Sequence, residues 1–181
     1  LFNKDKKLSA TFKPSVVKDI NFLEKLIDQK KNSLILILDH VMDPQNVGSI
    51  LRTALAADVD AVVVSKNRAC HLTETVRKVS KGASEIVPFV IVNNIKYVLK
   101  NLKNLNFNIL GCDGTAEKNY YECDYKMPTA IIMGSEDIGI KPNLKKDVDK
   151  MIRIPMNKQI ESLNVSNACS VILFEARKQR T

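Results

Sequence analysis

The feature that most constrains this chain is a set of short apolar runs with no polar alternation. Residues 34–38 read LILIL, and comparable runs recur at 61–64, 86–92, 107–110, 130–133 and 151–154. A strand with one wet face alternates apolar and polar residues; a run that is apolar throughout needs cover on both faces. Helical segments separate several of these runs. Residues 16–29 place Val16, Val17, Ile20, Phe22, Leu23, Leu26 and Ile27 at amphipathic spacing. Residues 48–57 are small and apolar, and 72–81 are mixed. Residues 95–105 put Ile95, Val98, Leu99, Leu102 and Leu105 on one face. A last segment at 165–178 carries Val165, Ala168, Val171, Ile172 and Phe174. Strands alternating with helices predict an α/β domain, a mainly parallel sheet flanked by helices. Ligands in such sheets sit beyond the carboxyl ends of the strands. That rule selects the loops after Leu38, Leu110, Met133 and Ile154.

Composition narrows the partner. The 181 residues suffice for one domain with a real core, and the formal net charge is +8. A basic chain suits a polyanion such as RNA, although lysines spread along the sequence also suit a merely soluble basic protein. Cys70, Cys112, Cys123 and Cys169 are scattered, form no C-x-x-C pair, and share the chain with only two histidines, His40 and His71. They read as thiols of a reducing cytosol rather than a zinc site. No apolar run has the length of a membrane span, and no signal peptide is visible. The start at Leu1 reads as that of a piece of a longer protein, and the Lys-rich residues 1–13 as a linker or tail.

The selected loops carry three constellations. In the first, Asp43-Pro44 forms a helix start, with Asn46 as a second candidate cap. Gly48 permits close approach, and Arg52 follows on the first turns. An arginine near a helix N-terminus suits a phosphate, or is a surface residue on an ordinary capped helix. In the second, the strand at 130–133 runs into Gly134-Ser135-Glu136-Asp137-Ile138-Gly139. Two acids there disfavour a phosphate cradle and favour a neutral or cationic ligand; a plain strand-to-helix turn is the other reading. In the third, Ile154-Pro155-Met156 ends a strand, and Ser162, Asn164 and Ser166 compete to cap the last helix or bind a ligand. Gly111 and Gly114 flank a further loop, either a ligand wall or a turn. There is no G-x-G-x-x-G after the first strand, no P-loop and no G-x-S-x-G elbow.

In order, these constellations resemble the three motifs of the SpoU/TrmH (SPOUT) family of RNA 2'-O-ribose methyltransferases. Asn46, Gly48 and Arg52 match Asn-x-Gly-x-x-x-Arg; Gly134, Glu136 and Gly139 match Gly-x-Glu-x-x-Gly. Ile154-Pro155-Met156 and Ser162-Leu163-Asn164-Val165-Ser166 match the third motif. The resemblance implies a C-terminal trefoil knot, a homodimer with its RNA site across the interface, and S-adenosyl-L-methionine as cofactor with no metal. It implies cofactor binding by Gly134, Ile154, Leu163, Gly114, Met156 and Ser162, and a catalytic group of Arg52, Asn46, Glu136 and Asn164 around the reacting ribose. Arg52 is either the general base or, since guanidinium stays protonated, an electrostatic stabiliser. Within the family the likeness is to enzymes that methylate a guanosine ribose in 23S-type rRNA. A tRNA enzyme of the same family and a non-catalytic RNA-binding module are the alternatives, and an unrelated α/β nucleotide-binding enzyme is disfavoured by the missing phosphate loops. The expected organisation is a linker and helix over 1–33, following an N-terminal RNA-binding domain, and a methyltransferase domain over 34–181. The expected location is cytoplasmic, or organellar if a transit peptide precedes the chain.

Overall fold

A strand that is apolar at every position pulls cover onto both faces of its sheet, and the computed structural model, which describes residues 17–181, shows how this chain provides it. The chain runs through α1 (Ile20–Gln29), β1 (Leu34–Asp39), α2 (Pro44–Ala56), β2 (Ala61–Ser65) and α3 (Glu74–Ser80). It continues through β3 (Phe89–Val92), α4 (Ile95–Asn104), β4 (Asn108–Cys112), β5 (Lys118–Asn119) and β6 (Thr129–Gly134). It ends with α5 (Pro142–Lys145), β7 (Lys150–Arg153) and α6 (Val165–Arg180). The sheet order is β3-β2-β1-β6-β4-β7-β5, and every pairing between these strands is parallel. Their carboxyl ends therefore share one edge.

The central strand shows why alternation was absent. Leu34, Leu36 and Leu38 enter one core with Val47, Ile50 and Leu51 of α2 and Ile172 and Leu173 of α6. Ile35 and Ile37 enter the other with Leu23 and Ile27 of α1 and Val98, Leu99 and Leu102 of α4. Each buried Leu or Ile contributes about 1.5–3 kcal/mol by leaving water, so β1 anchors both layers.

Elements differ from the sequence reading where local chemistry intervenes. Val16 lies outside the described residues, as do residues 1–13. The first helix starts only at Ile20, because the Asp19 carboxylate accepts from the Phe22 amide and caps it. Lys18 stays extended and bridges to Val90, covering the free side of β3. Residues 86–88 are not strand: a single 3-10 turn over Ala83–Glu85 precedes them, and pairing begins after Pro88. Asp43 caps α2 by accepting from the Gln45 amide, with Pro44 in the first turn. α5 and β5, of four and two residues, are too short to leave a periodic signal.

Gly48 has a packing role. A Cβ there would come within 2.6 Å of the Val79 Cβ, so its absence lets α2 lie against α3. In the described residues no helix is long and apolar enough to cross a membrane.

Candidate active site

At the carboxyl edge of β6, β4 and β7 the chain leaves a cleft of about 290 Å³. Its walls come from four separated stretches. β6 and the turn after it supply Gly134, Glu136 and Ile138; the loop after β4 supplies Asp113 and Gly114. β7 and its exit supply Arg153, Ile154 and Met156; the approach to α6 supplies Glu161, Ser162 and Leu163. All six residues expected to bind the cofactor thus line one cavity.

The turn after β6 is built by its glycines. A Cβ on Gly134 would run into the backbone of Gly139 and Ile140. Gly139 itself sits at φ +65, and its amide donates back to the Ser135 carbonyl at 2.9 Å. Only glycine allows this return so close to the strand end. Gly114 faces open space, the nearest atom to a Cβ there being the Glu161 carbonyl oxygen at 4.0 Å. Gly111 does not face the cleft: a Cβ on it would meet Met151, Ile140 and Val148, so it serves packing.

At the cleft mouth three motif residues converge. The Asn164 amide donates to Asn46 Oδ1 at 2.9 Å and to Glu136 Oε1 at 2.9 Å. Asn46 Nδ2 donates to the same Glu136 oxygen at 3.3 Å, and the Val165 backbone amide does so at 3.2 Å. Asn164 also resolves the competition at the last helix. Its Oδ1 accepts from the Ser166 amide at 2.9 Å and from the Ser166 hydroxyl at 2.6 Å, capping α6. The Glu136 carboxylate thus lies at the positive end of α6, where a negative charge is favoured. Asn46 is buried, while Glu136 and Asn164 face solvent.

Arg52 is not part of this group. It lies on the other side of α2, exposed, in a separate groove with Gln45, Glu74, Thr75, Lys78, Val79 and Lys81. The fold of this chain brings Asn46, Glu136 and Asn164 together and leaves Arg52 outside the cleft.

Two supports of the cleft were not singled out in the sequence. Asp39, fully buried at the end of β1, accepts from the Lys141 amide at 2.9 Å and contacts His40 Nδ1 at 2.6 Å. This holds the far end of the loop after β6. His40 turns the chain there with φ 62. Asp113 accepts from Lys145 Nζ at 2.5 Å and from Thr115, which lowers its carboxyl pKa to about 2. A single Asp at a strand end and a lone Asp in a loop carry no periodic signal. Exposure of Ile138 at 66% inside a cleft wall was equally illegible from its neighbours in sequence.

The donor set of the cleft fits the expected cofactor. Ile138, Ile154, Leu163 and Ala168 give an apolar lining, and Asp113, Glu136, Asp137 and Glu161 outnumber the single cation Arg153. A ligand with cationic centres, such as a sulfonium, on a partly apolar body suits such a wall. An oligophosphate does not.

Known proteins place this arrangement. The sequence pattern of the SpoU rRNA Methylase family matches residues 33–174. The chain is 42% identical over 173 residues to the 23S rRNA (guanosine-2'-O-)-methyltransferase RlmB of Pseudomonas aeruginosa, covering 95% of this chain and 70% of that one. The Haemophilus influenzae RlmB is 41% identical over 161 residues, covering 88% of this chain and 65% of that one. Among solved structures, the SpoU methyltransferase AviRb of Streptomyces viridochromogenes in complex with AdoMet superposes with a TM-score of 0.77 at 26% identity, over 82% of this chain and 61% of that one. The A. aeolicus TrmH/SpoU tRNA modifying enzyme superposes with a TM-score of 0.75 at 29% identity, over 88% and 83% of the two chains. The seven-stranded parallel architecture of this chain is therefore the SPOUT fold. Three motifs in register, the cleft that the second and third of them wall and these likenesses lead to one conclusion: the chain belongs to the SpoU rRNA methylase family.

Proposed function

We propose that this protein transfers a methyl group from S-adenosylmethionine to the ribose 2'-hydroxyl of a guanosine in large-subunit, 23S-type rRNA. The observation that carries the proposal is the convergence of Asn46, Glu136 and Asn164 at the mouth of a cleft walled by Gly134, Ile154 and Leu163. The RlmB relatives, matched over most of this chain, support the guanosine and rRNA parts.

When bound, the cofactor supplies an electrophilic methyl group on a sulfonium. Gly134, Ile154, Leu163, Gly114, Met156 and Ser162 are the residues that would hold it. The acids on the same wall favour its cationic centres. Asn46 and Asn164 are oriented by Glu136, so their amides are preset where a ribose would enter. In this reading Arg52, with its planar fork of N–H donors, clamps the neighbouring phosphate and stabilises the negative charge that develops on the 2'-oxygen.

Arg52 cannot do this from its own cleft, and a homodimer supplies the missing geometry. α2 and α6 pack side by side, with Thr53 and Ser170 in hydrogen-bond contact at 3.1 Å. They leave Leu55, Val171 and Phe174 exposed, Phe174 at 50%. An apolar face on the helices that start at the catalytic group is where a second copy would bring its own Arg52 to this cleft. An RNA-binding domain ahead of residue 1 belongs to the same reading.

The test is transfer of a tritiated methyl group to 23S rRNA fragments, followed by mapping of the modified ribose. Label on a guanosine 2'-oxygen is the expected result. Label on tRNA alone would move the protein to the tRNA branch. Cofactor binding without any transfer would leave it a non-catalytic RNA-binding module.

A further inference from the structure

We propose that the groove between α2 and α3 is a second RNA contact, in which Lys78 and Lys81 hold backbone phosphates flanking the ribose to be methylated. The inference rests on the RNA-methylating reading above and extends it to residues outside the three motifs.

The groove has a volume of about 630 Å³ and is lined by Gln45, Arg52, Glu74, Thr75, Lys78, Val79 and Lys81. Three of those residues are cations and one is an acid. Arg52, Lys78 and Lys81 are all exposed. Among the described residues none of the three enters an ion pair. The other cation of α3, Arg77, is consumed by Glu85 and ties the helix down. Lys78 and Lys81 therefore stay available on a fixed helix. Three cations against a single acid raise the local potential and attract a polyanion.

Position gives the groove its meaning. Gln45 lines it, and the next residue, Asn46, bonds Asn164 and Glu136 at the cleft mouth. The groove therefore runs along α2 from the same helix start that presents Asn46 on its other side. Gly48 is what brings α3, and with it Lys78, against α2. Arg52 lines the same groove, so in the homodimer proposed above a strand whose ribose enters the second copy's cleft, where this Arg52 acts, would run its flanking phosphates along Lys78 and Lys81. The cleft, with its surplus of acids, offers no such path. Phosphate contacts of this kind set affinity and its salt dependence, and leave sequence preference to other parts of the molecule.

The test compares the wild-type protein with a Lys78→Ala/Lys81→Ala double variant, by RNA binding to an rRNA fragment at several salt concentrations. Two exposed side chains are removed, so folding is not at risk; equal melting temperatures check this, and Lys78→Gln/Lys81→Gln is the fallback. The expected result is roughly tenfold weaker binding near 0.1 M salt and a slope of log K against log salt shallower by about 1.4. S-adenosylmethionine affinity stays unchanged, and a Lys78→Arg/Lys81→Arg variant keeps wild-type binding. Unchanged RNA affinity and slope in the alanine variant, with the wild type binding and methylating RNA, would overturn the inference. If the wild type itself neither binds nor methylates RNA, the functional reading fails first, so the two failures are distinguishable.

Discussion

The cleft and the groove sit on opposite sides of one helix start and differ in almost every respect. The cleft is acidic and apolar, and its walls come from residues spread between Cys112 and Ile172. The groove is basic and local, all its residues lying between Gln45 and Lys81. The contrast teaches that one small domain keeps a cationic donor and an anionic polymer apart by the sign of two surfaces. Asn46 stands on the boundary, bonded on the cleft side and preceded by a groove residue. If the separation is real, substitutions should divide cleanly into those that lose the donor and those that lose the RNA.

The largest effect is expected from Gly134→Val. Its side chain would collide with the backbone of Gly139 and Ile140, so the turn after β6 cannot close. Calorimetry should show no S-adenosylmethionine binding, and methyl transfer should vanish, while RNA affinity persists. Equal loss of RNA affinity would break the comparison. Arg52→Ala comes next. Turnover should fall by about 10²–10³, with S-adenosylmethionine affinity kept, because Arg52 lies outside the cleft of its own protomer. Wild-type turnover in a methyl-transfer assay would remove Arg52 from the chemistry.

Asn164→Ala should act on both function and fold. It removes the bonds to Asn46 and Glu136 and the cap of α6. Lost capping costs about 1 kcal/mol, read as a melting point lower by roughly 2–4 °C. Loss of turnover without any change in melting would show that the cap is made by another group. Asp113→Asn should be the smallest. Lys145 and Thr115 hold the Asp113 carboxyl down at about 2 from its ordinary 3.8. A depressed carboxyl contributes stability that is complete above the unfolded value and is lost as pH falls through the folded one. The wild type should therefore melt slightly above the variant at neutral pH, by an amount that is constant down to about pH 4 and shrinks towards pH 2. A difference growing on acidification would refute the pairing.

Much of the molecule was legible from residue order alone. Continuous apolar runs announced strands covered on both faces, and β1 feeds one core with its leucines and the other with its isoleucines. Asp43-Pro44 announced a helix start that the fold uses, and Ser162, Asn164 and Ser166 offered three caps for the last helix, of which the fold uses Asn164. The second and third motifs marked residues that wall the cleft, because close backbone turns leave glycine and polar signatures within a few positions. What tertiary structure decided is what no local pattern contains. β6 lies between β1 and β4, which sets Glu136 beside Asn46, 90 residues earlier. The return of the chain to α6 sets Asn164 against Asn46 across 118 residues. The missing Cβ of Gly48 lets α3 reach α2 and form the groove that holds Arg52 apart from the cleft. Helix and strand signals follow from interactions between near neighbours, whereas strand order and groove walls follow from burying apolar faces shared by distant segments.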